Sequence, residues 1–453
     1  MLEIVILAAG EGKRMHSGQP KVLQPVGGRA MLEHLLDAAA ALDPGRLHVV
    51  IGAGADQIRR HCAGRPFGWV EQKARRGTGH ALMQALPQLG TSSRVLVLPG
   101  DMPLIRPETL GKLLSRDADL ALLTFVADDP TGYGRILRSE GHVSGVREER
   151  DASEAERAIR EVNSGVMLAS AGDWSAWLQQ IDDDNAQGEY YLTDCIGVAA
   201  AEGRTIDAVV AGDAAELKGA NDRAQLADLE RIYQQRARAA LLAAGATLLD
   251  PDTVHVRGRV EAGRDVTVDV NVILCGDVQL GDGVRVGAGC VLTDCHLAAG
   301  TRIEPYSVLE GVRTTGPCDI GPFARLRPGT ELAEGVRIGN FVETKKAQFG
   351  SGAKASHLAY VGDAEIGAGA NLGAGTITCN YDGVNKHRTV IGRGAFIGSN
   401  SALVAPVTIG SEATIGAGSV ISGQAPAGQL TLARGRQRTV PGWKRPAGRG
   451  KKS

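Results

Sequence analysis

Two hydrophobic rhythms divide this chain of 453 residues. In the first half, short apolar runs alternate with stretches whose apolar side chains return at helical spacing. Ile4 to Leu7, Leu47–Ile51, Val95–Leu98 and Leu120–Phe125 read as buried strands, and Ala30 to Leu42, Ala81–Leu89 and Glu108–Leu114 as helices. That alternation predicts an α/β unit over residues 1–223, Rossmann-like, with a parallel-dominated sheet. Residues 224–244 lack glycine and proline and place Leu226, Leu229, Tyr233 and Leu241 on or near one face, which predicts a single linker helix.

From residue 245 to 453 the texture changes to glycines every few residues and aliphatic side chains at intervals of six. Ile391, Ile397, Leu403, Ile409, Ile415 and Ile421 keep that spacing without a slip, and Gly392, Gly398, Gly410 and Gly416 follow four of them. Earlier registers run through Val268, Leu274, Leu280, Val286 and Leu292, then Ile320, Leu326, Leu332 and Ile338, then Ile366 and Leu372. One buried aliphatic per hexad, three hexads to a triangular coil, predicts an all-β domain built as a parallel β-helix. The register breaks at Gly311–Pro317, Thr344–Ser356 and Asp382–His387 are expected as loops projecting from the prism.

Composition narrows the function classes. A net charge of −1 argues against a polyanion binder as a whole, and no nucleic-acid module is visible. The N-terminal apolar run is short and carries Glu3, so it reads as a strand and not a signal peptide, and nothing approaches a membrane span. Seven scattered cysteines without a C-x-x-C pair disfavour disulfides and zinc and suit the cytoplasm. From Ala413 to Ser453 there is no acidic residue, and eight Lys and Arg give a basic end, read after Pro441 as a solvated tail.

Candidate chemistry begins at Leu7-Ala8-Ala9-Gly10-Glu11-Gly12-Lys13-Arg14, followed by Pro20-Lys21. A glycine loop after a strand lets backbone N–H groups approach phosphate, and Arg14 and Lys21 add charge. There is no G-x-x-x-x-G-K-[ST] and no third glycine of the dinucleotide fingerprint, which weakens kinase and dehydrogenase readings. Gln72 precedes a second glycine turn at Gly77-Thr78 that opens a helix, and an apolar strand ends at Pro99-Gly100-Asp101, where a carboxylate suits Mg2+. Taken alone, each of these is also an ordinary turn or cap.

The string LAAGEGKRMHSGQPKVL resembles the signature of sugar-1-phosphate nucleotidyltransferases, and Gly100-Asp101-Met102-Pro103-Leu104 resembles their G-D-x-P-L segment, with Pro99 where an aromatic or small polar residue is usual. The resemblance implies that Leu7, Ala8, Ala9, Gly10, Lys21, Gln72, Gly77, Thr78, Pro99, Gly100 and Asp101 hold the nucleotide, and that Gly134 beside Tyr133 and Arg135, Glu148, Asn163 and Asn221 hold sugar and metal. Asp101 and Asn221 are then the Mg2+ ligands, and Arg14 and Lys21 act on the phosphates.

In the second half FARLRPG, FVETKKA, SHLAYVGDAEIG and GAGTITCNYDG resemble the acetyltransferase half of the bacterial family of bifunctional N-acetylglucosamine-1-phosphate uridylyltransferase/glucosamine-1-phosphate N-acetyltransferases. The likeness covers nearly the whole chain. It implies a left-handed β-helix, homotrimers, and UTP, acetyl-CoA and sugar phosphates as substrates. His357 is then the general base, oriented by Glu343. Arg327, Lys345, Tyr360 and Asn371 bind the sugar phosphate, and Ala374, Asn380, Tyr381, Ser399, Ala417 and Arg434 lie along acetyl-CoA. Two other readings remain at this point: a nucleotidyltransferase whose β-helix only regulates it, and a β-helix that is only a trimerisation module.

Overall fold

The computed structural model describes residues 1–445, so Arg449, Lys451 and Lys452 of the basic tail lie outside the described residues. The described chain separates into two compact units, Met1–Ala237 and the described residues from Arg238 onward.

The first unit is a nine-stranded mixed sheet. Its strands are β1 (Leu2–Ala8), β2 (Arg46–Ile51), β3 (Gly68–Glu71), β4 (Arg94–Pro99), β5 (Leu120–Val126), β6 (Arg135–Ser139), β7 (His142–Arg147), β8 (Glu161–Ser170) and β9 (Ile206–Val210). Their order is β9-β5-β8-β4-β1-β2-β3, with the β6–β7 hairpin pairing onto β8. β8 alone runs antiparallel to both neighbours on this path, β4 and β5. Alternate residues of the central strands face two different cores. Ile4, Ile6, Leu96 and Leu98 join one cluster, and Val5, Val95 and Val97 join the other with Trp174 and Trp177, as a sheet covered on both faces requires.

The helix predicted as a linker runs Arg223–Ala243, and its first turns belong to this unit. Leu226 and Leu229 pack with Met15, Val26 and Met31. Glu230 accepts a hydrogen bond from the Gly27 N–H at 2.6 Å, and Arg236 donates to the Leu104 carbonyl at 2.8 Å.

In the second unit every hexad aliphatic is inside. Ile391, Ile397, Leu403, Ile409, Ile415 and Ile421 are all buried, as are the earlier registers. Parallel pairing stacks them coil on coil: Val268 on Val286, Ile303, Ile320 and Ile338 in turn, and Leu372 on Ile397 and Ile415. The result is a parallel β-helix with one sheet of eleven strands and one of fifteen.

Two of the three predicted projections are not loops. Arg313–Thr314 is a strand, and Glu343–Phe349 and Lys354–His357 are both strands. A coil shortened by one residue slips the hexad count in sequence while the ladder of pairs continues, so Thr344 still pairs with Leu326 and Val361. Only the third break projects. Leu372 pairs with Ile397, 25 positions on, and Tyr381 bridges Lys386 across the loop.

One corner of the prism carries a column of residues with left-handed backbone: Tyr306, Phe323, Phe341 and Leu358. In other coils Gly289, Gly375 and Asn400 serve this corner. The bulky side chains stand 47% to 60% exposed, and the rings stack, with Tyr306 and Phe323 centroids 5.3 Å apart and Phe323 and Phe341 5.5 Å apart.

Candidate active sites

The carboxyl ends of β1 and β4 open on a cavity of about 770 Å3. Leu7, Ala8, Ala9 and Gly10 leave β1 along its wall, Pro99, Gly100 and Asp101 leave β4, and Gln72, Gly77 and Thr78 come from the turn after β3. Lys21, Gly134, Glu148 and Asn163 complete it. Gly100 has to be glycine for packing reasons, since a Cβ there would lie 2.8 Å from the Leu7 carbonyl oxygen. Gly10 faces open space, with nothing within 4 Å of a Cβ.

The Lys21 ammonium lies between two oxygens. Nζ is 2.5 Å from Asp101 Oδ2 and 3.0 Å from Asn221 Oδ1, with both side chains of the ion pair largely shielded from water. These two positions, 120 residues apart in sequence, therefore converge on one cation. A carboxylate and an amide oxygen form a hard donor set that fits Mg2+, which takes few protein ligands and fills the rest with water and phosphate.

The walls are preorganised. Gln72 Nε2 donates to the Gly77 carbonyl at 3.0 Å and lies 3.0 Å from His80 Nδ1, and the Thr78 hydroxyl accepts from the Leu192 N–H. Glu148 accepts from the Thr193 hydroxyl at 2.8 Å, and burial pushes its carboxyl above the usual range. Burial, with Glu148, Asp182 and Asp151 nearby, lifts Asp194 to about 6. Asn163 is only 7% exposed, and its Oδ1 has no partner. An orphaned buried acceptor on a cavity wall is a place for a ligand hydroxyl.

Arg14 stands apart from this cavity. Met15 is anchored in the hydrophobic cluster beneath the loop, and the short turn Lys13–Met15 leaves Arg14 exposed while Lys13 lines the wall. Lys13 and Arg75 are cavity cations that the sequence reading did not single out, and both pair with Glu11.

On the β-helix three of the four sugar-phosphate candidates, Arg327, Lys345 and Tyr360, go with strands of the fifteen-stranded sheet, while Asn371 belongs to the eleven-stranded one. Arg325, Glu343, Tyr360 and Ile377 are successive rungs of a ladder, and Lys345 pairs with Gly362 two residues along it. Arg327 Nη1 lies 2.9 Å from Glu343 Oε1. The repulsion of Lys386 and Arg327 lowers the Lys345 ammonium from its ordinary value, Lys386 being the larger cause. Lys386 comes from the projecting loop and was missed in sequence, where only its place in a register break marked it.

No hydrogen bond joins His357 to Glu343 among the described residues. His357 ends a strand of the eleven-stranded sheet and pairs with Asn340, whereas Glu343 lies across the corner in the other sheet and is engaged by Arg327. The Asn380 amide is likewise committed, donating to Asp363 Oδ2 at 2.5 Å. Tyr381 is exposed, with its hydroxyl donating to the Gly383 carbonyl. Asn371 sits in register with Lys354 and Phe396 on the first sheet. Ala374, Ser399 and Ala417 follow the paired Leu372, Ile397 and Ile415 by two residues each, so they stack as a track of small side chains. Arg434 closes that track by donating to the Ala417 carbonyl at 2.9 Å.

Two family descriptions match: the MobA-like NTP transferase domain over residues 4–166 and the bacterial transferase hexapeptide (six repeats) over residues 388–423. Bifunctional protein GlmU of Alkalilimnicola ehrlichii is 54% identical over 450 residues, covering 99% of this chain and 97% of its own. Bifunctional protein GlmU of Stenotrophomonas maltophilia is 55% identical over 447 residues, covering 98% of each. Among solved structures, the inositol-1-phosphate CTP transferase from T. maritima is 16% identical, with 51% of this chain and 96% of that chain covered at a TM-score of 0.41. With a cavity at the ends of β1 and β4, a hexad β-helix behind it in the chain, and identity above one half along nearly all its length, the chain belongs to the family of bifunctional GlmU proteins.

Proposed function

We infer that the chain carries two activities: acetyl transfer from acetyl-CoA to glucosamine 1-phosphate on the β-helix, and uridylyl transfer from UTP to N-acetylglucosamine 1-phosphate in the α/β cavity, giving UDP-N-acetylglucosamine and pyrophosphate. The observation that carries this reading is the span of the likeness, which leaves neither unit unaccounted for.

In the first site the sugar phosphate oxygen attacks the α-phosphorus of UTP and the pyrophosphate leaves, so the protein's work is positioning and charge stabilisation. Leu7 to Gly10 and Gly77-Thr78 carry the nucleotide; the space beside Gly10 is what a phosphate needs. Asp101 and Asn221 would hold Mg2+, which when bound neutralises charge on the triphosphate. Lys21 grips phosphate as a point charge, and Arg14, which makes no ion pair among the described residues, remains available to the departing pyrophosphate. Gly134, Glu148 and Asn163 meet the sugar, with Asn163 Oδ1 accepting from a hydroxyl.

In the second site the imidazole of His357 takes a proton from the amino group of glucosamine 1-phosphate as its nitrogen attacks the thioester carbonyl, and the CoA thiolate leaves and is protonated. Arg327, Lys345 and Lys386 form the anion site for the sugar phosphate. The track of Ala374, Ser399 and Ala417 takes the pantetheine arm, and Arg434 lies at its end for a CoA phosphate.

We infer a homotrimer located in the cytoplasm. The exposed corner column from Tyr306 to Leu358 supports association, since left-handed backbone costs roughly 1–2 kcal/mol at each bulky residue and glycine or asparagine serves elsewhere. The seven unpaired cysteines suit a reducing compartment.

The test is free-thiol release from acetyl-CoA with glucosamine 1-phosphate in the absence of UTP, alongside pyrophosphate release from UTP with N-acetylglucosamine 1-phosphate. Both are expected from one preparation. Absence of thiol release from the folded protein overturns the acetyl-transfer half.

A further inference from the structure

The sugar-side wall of the first cavity depends on a side chain that is not part of its lining. Arg135 is 1% exposed. Its guanidinium donates to the Tyr133 carbonyl, to the Arg157 carbonyl at 3.4 Å, and across 2.7 Å to Glu149 Oε2, which also accepts from the Gly132 N–H at 3.2 Å. One guanidinium thus ties together both ends of the β6–β7 hairpin and the segment after it.

The position of this knot matters more than its strength. Arg135 pairs with Arg147 on β7 and with Val162 on β8, so three strands meet at it. Each of those three residues has a cavity-lining neighbour: Gly134 precedes Arg135, Glu148 follows Arg147 and Asn163 follows Val162. The junction is tight. The Asn163 N–H donates to the Gly134 carbonyl at 2.8 Å, and a Cβ on Gly134 would lie 2.7 Å from Val146 Cγ1 and 3.3 Å from Glu148 Oε1.

Stability is a poor reason for placing a guanidinium here. A buried ion pair gains little over an apolar side chain of the same volume, and Arg135 Nε is buried without a partner, which adds a cost. A leucine or methionine would fill the space but would hold neither the Tyr133 carbonyl nor the Glu149 carboxylate.

We propose that Arg135 is the positioning residue of the sugar subsite, and that with Glu149 it fixes the three-strand junction from which Gly134, Glu148 and Asn163 face the sugar. The proposal rests on the assignment of those three residues to the sugar. Arg135 touches no substrate; it acts through the wall. Its charge also opposes the burial that raises Glu148, whose other neighbours are the Thr193 hydroxyl, Asp151, Asp194 and Tyr191.

The test uses the full chain carrying Arg135→Lys, Arg135→Met or Glu149→Gln, with Asn163→Ala as a separate probe of the wall. KM for UTP and for N-acetylglucosamine 1-phosphate is measured in each, and acetyl transfer in the same preparation reports that the protein is folded. The sugar phosphate KM is expected to rise by about tenfold or more in both Arg135 variants, and less in Glu149→Gln, because displacement of a positioning wall is felt at the substrate it holds. The UTP KM should stay within about twofold and acetyl transfer unchanged. Arg135→Met should also move the acid limb of the sugar kcat/KM to higher pH, since Glu148 loses a cation, while Arg135→Lys keeps that limb in place.

Equal rises of both KM values, or a fall in kcat alone, would make Arg135 a structural residue and overturn the proposal. If Arg135→Met does not fold, Arg135→Lys and Glu149→Gln decide the matter by the same split. An unchanged sugar KM in Asn163→Ala overturns the wall assignment itself. A raised one in Asn163→Ala beside unchanged values in both Arg135 variants overturns only the role of Arg135.

Discussion

The two candidate sites are built on opposite plans. The α/β cavity is concave, and its key groups are shielded: Asp101 and Lys21 largely so, Asn163 and Gln72 nearly completely. The β-helix site is laid on the flank of a prism, where His357, Ser399, Ala417 and Arg434 are all exposed. A sheet edge with loops on both sides encloses a ligand, whereas a flat coil surface cannot. Desolvation strengthens each electrostatic contact in the first site, while the second needs another surface to exclude water. The exposed aromatic corner that ends at Leu358, one residue from His357, is where that surface would come from.

The hardest test of the contrast is to disable each site alone. Asp101→Ala should cut uridylyl transfer by at least about 100- to 1000-fold and leave acetyl transfer intact, and His357→Ala should cut acetyl transfer by about 100- to 10,000-fold and spare uridylyl transfer. Loss of both activities in either folded variant would show that the sites are not separate.

Next in size is the dependence on association. Phe323→Glu with Phe341→Glu places two carboxylates in the stacked corner, and sedimentation should then find monomer, with acetyl transfer falling about tenfold or more and uridylyl transfer unchanged. A trimer of full acetyl-transfer activity would remove the corner from the interface.

A smaller effect separates two glycines of the cavity. Gly100→Ala should lower the melting temperature, because backbone of β1 blocks the new methyl group at a cost of about 1–3 kcal/mol. Gly10→Ala has room, so it should melt with wild type and instead raise the KM for UTP. The reverse pattern would mean that Gly10 is structural.

The smallest effect is that of pH on the acidic side of the cavity. Asp194 sits at about 6 when folded, above its value near 3.8 in the unfolded chain, so the folded state binds the proton more tightly. Its contribution to stability is present at low pH and lost as pH rises from about 4 through about 6. Asp194→Asn should therefore melt with wild type near pH 4 and about 2–4 °C higher at pH 7, read by calorimetry. Parallel melting curves across that range would deny the burial of its charge.

How much of this was legible varied with range. Ile391 to Ile421 announced the coils, because one aliphatic per hexad is all that a flat face buries. The shortened coils near Thr344 misled, since a slip of one residue breaks a count but not a ladder of backbone hydrogen bonds. The glycine loop after β1 was visible in the sequence, yet the inward turn of Met15 that separates Lys13 from Arg14 depends on Leu226 and Leu229 of a helix far along the chain. Lys386 was marked only by its place in a register break and Arg135 only by its place beside Gly134, and neither position told what the cation would meet.

By itself the sequence determined the two architectures and the residue types available for chemistry, because periodicity and glycine placement act locally on the backbone. Tertiary structure alone decided which groups meet: Lys21 between Asp101 and Asn221, Glu343 with Arg327 across the corner from His357, and Arg135 with Glu149 behind the cavity wall. Those pairings are set by strand order and register, which bring together residues that no local pattern connects.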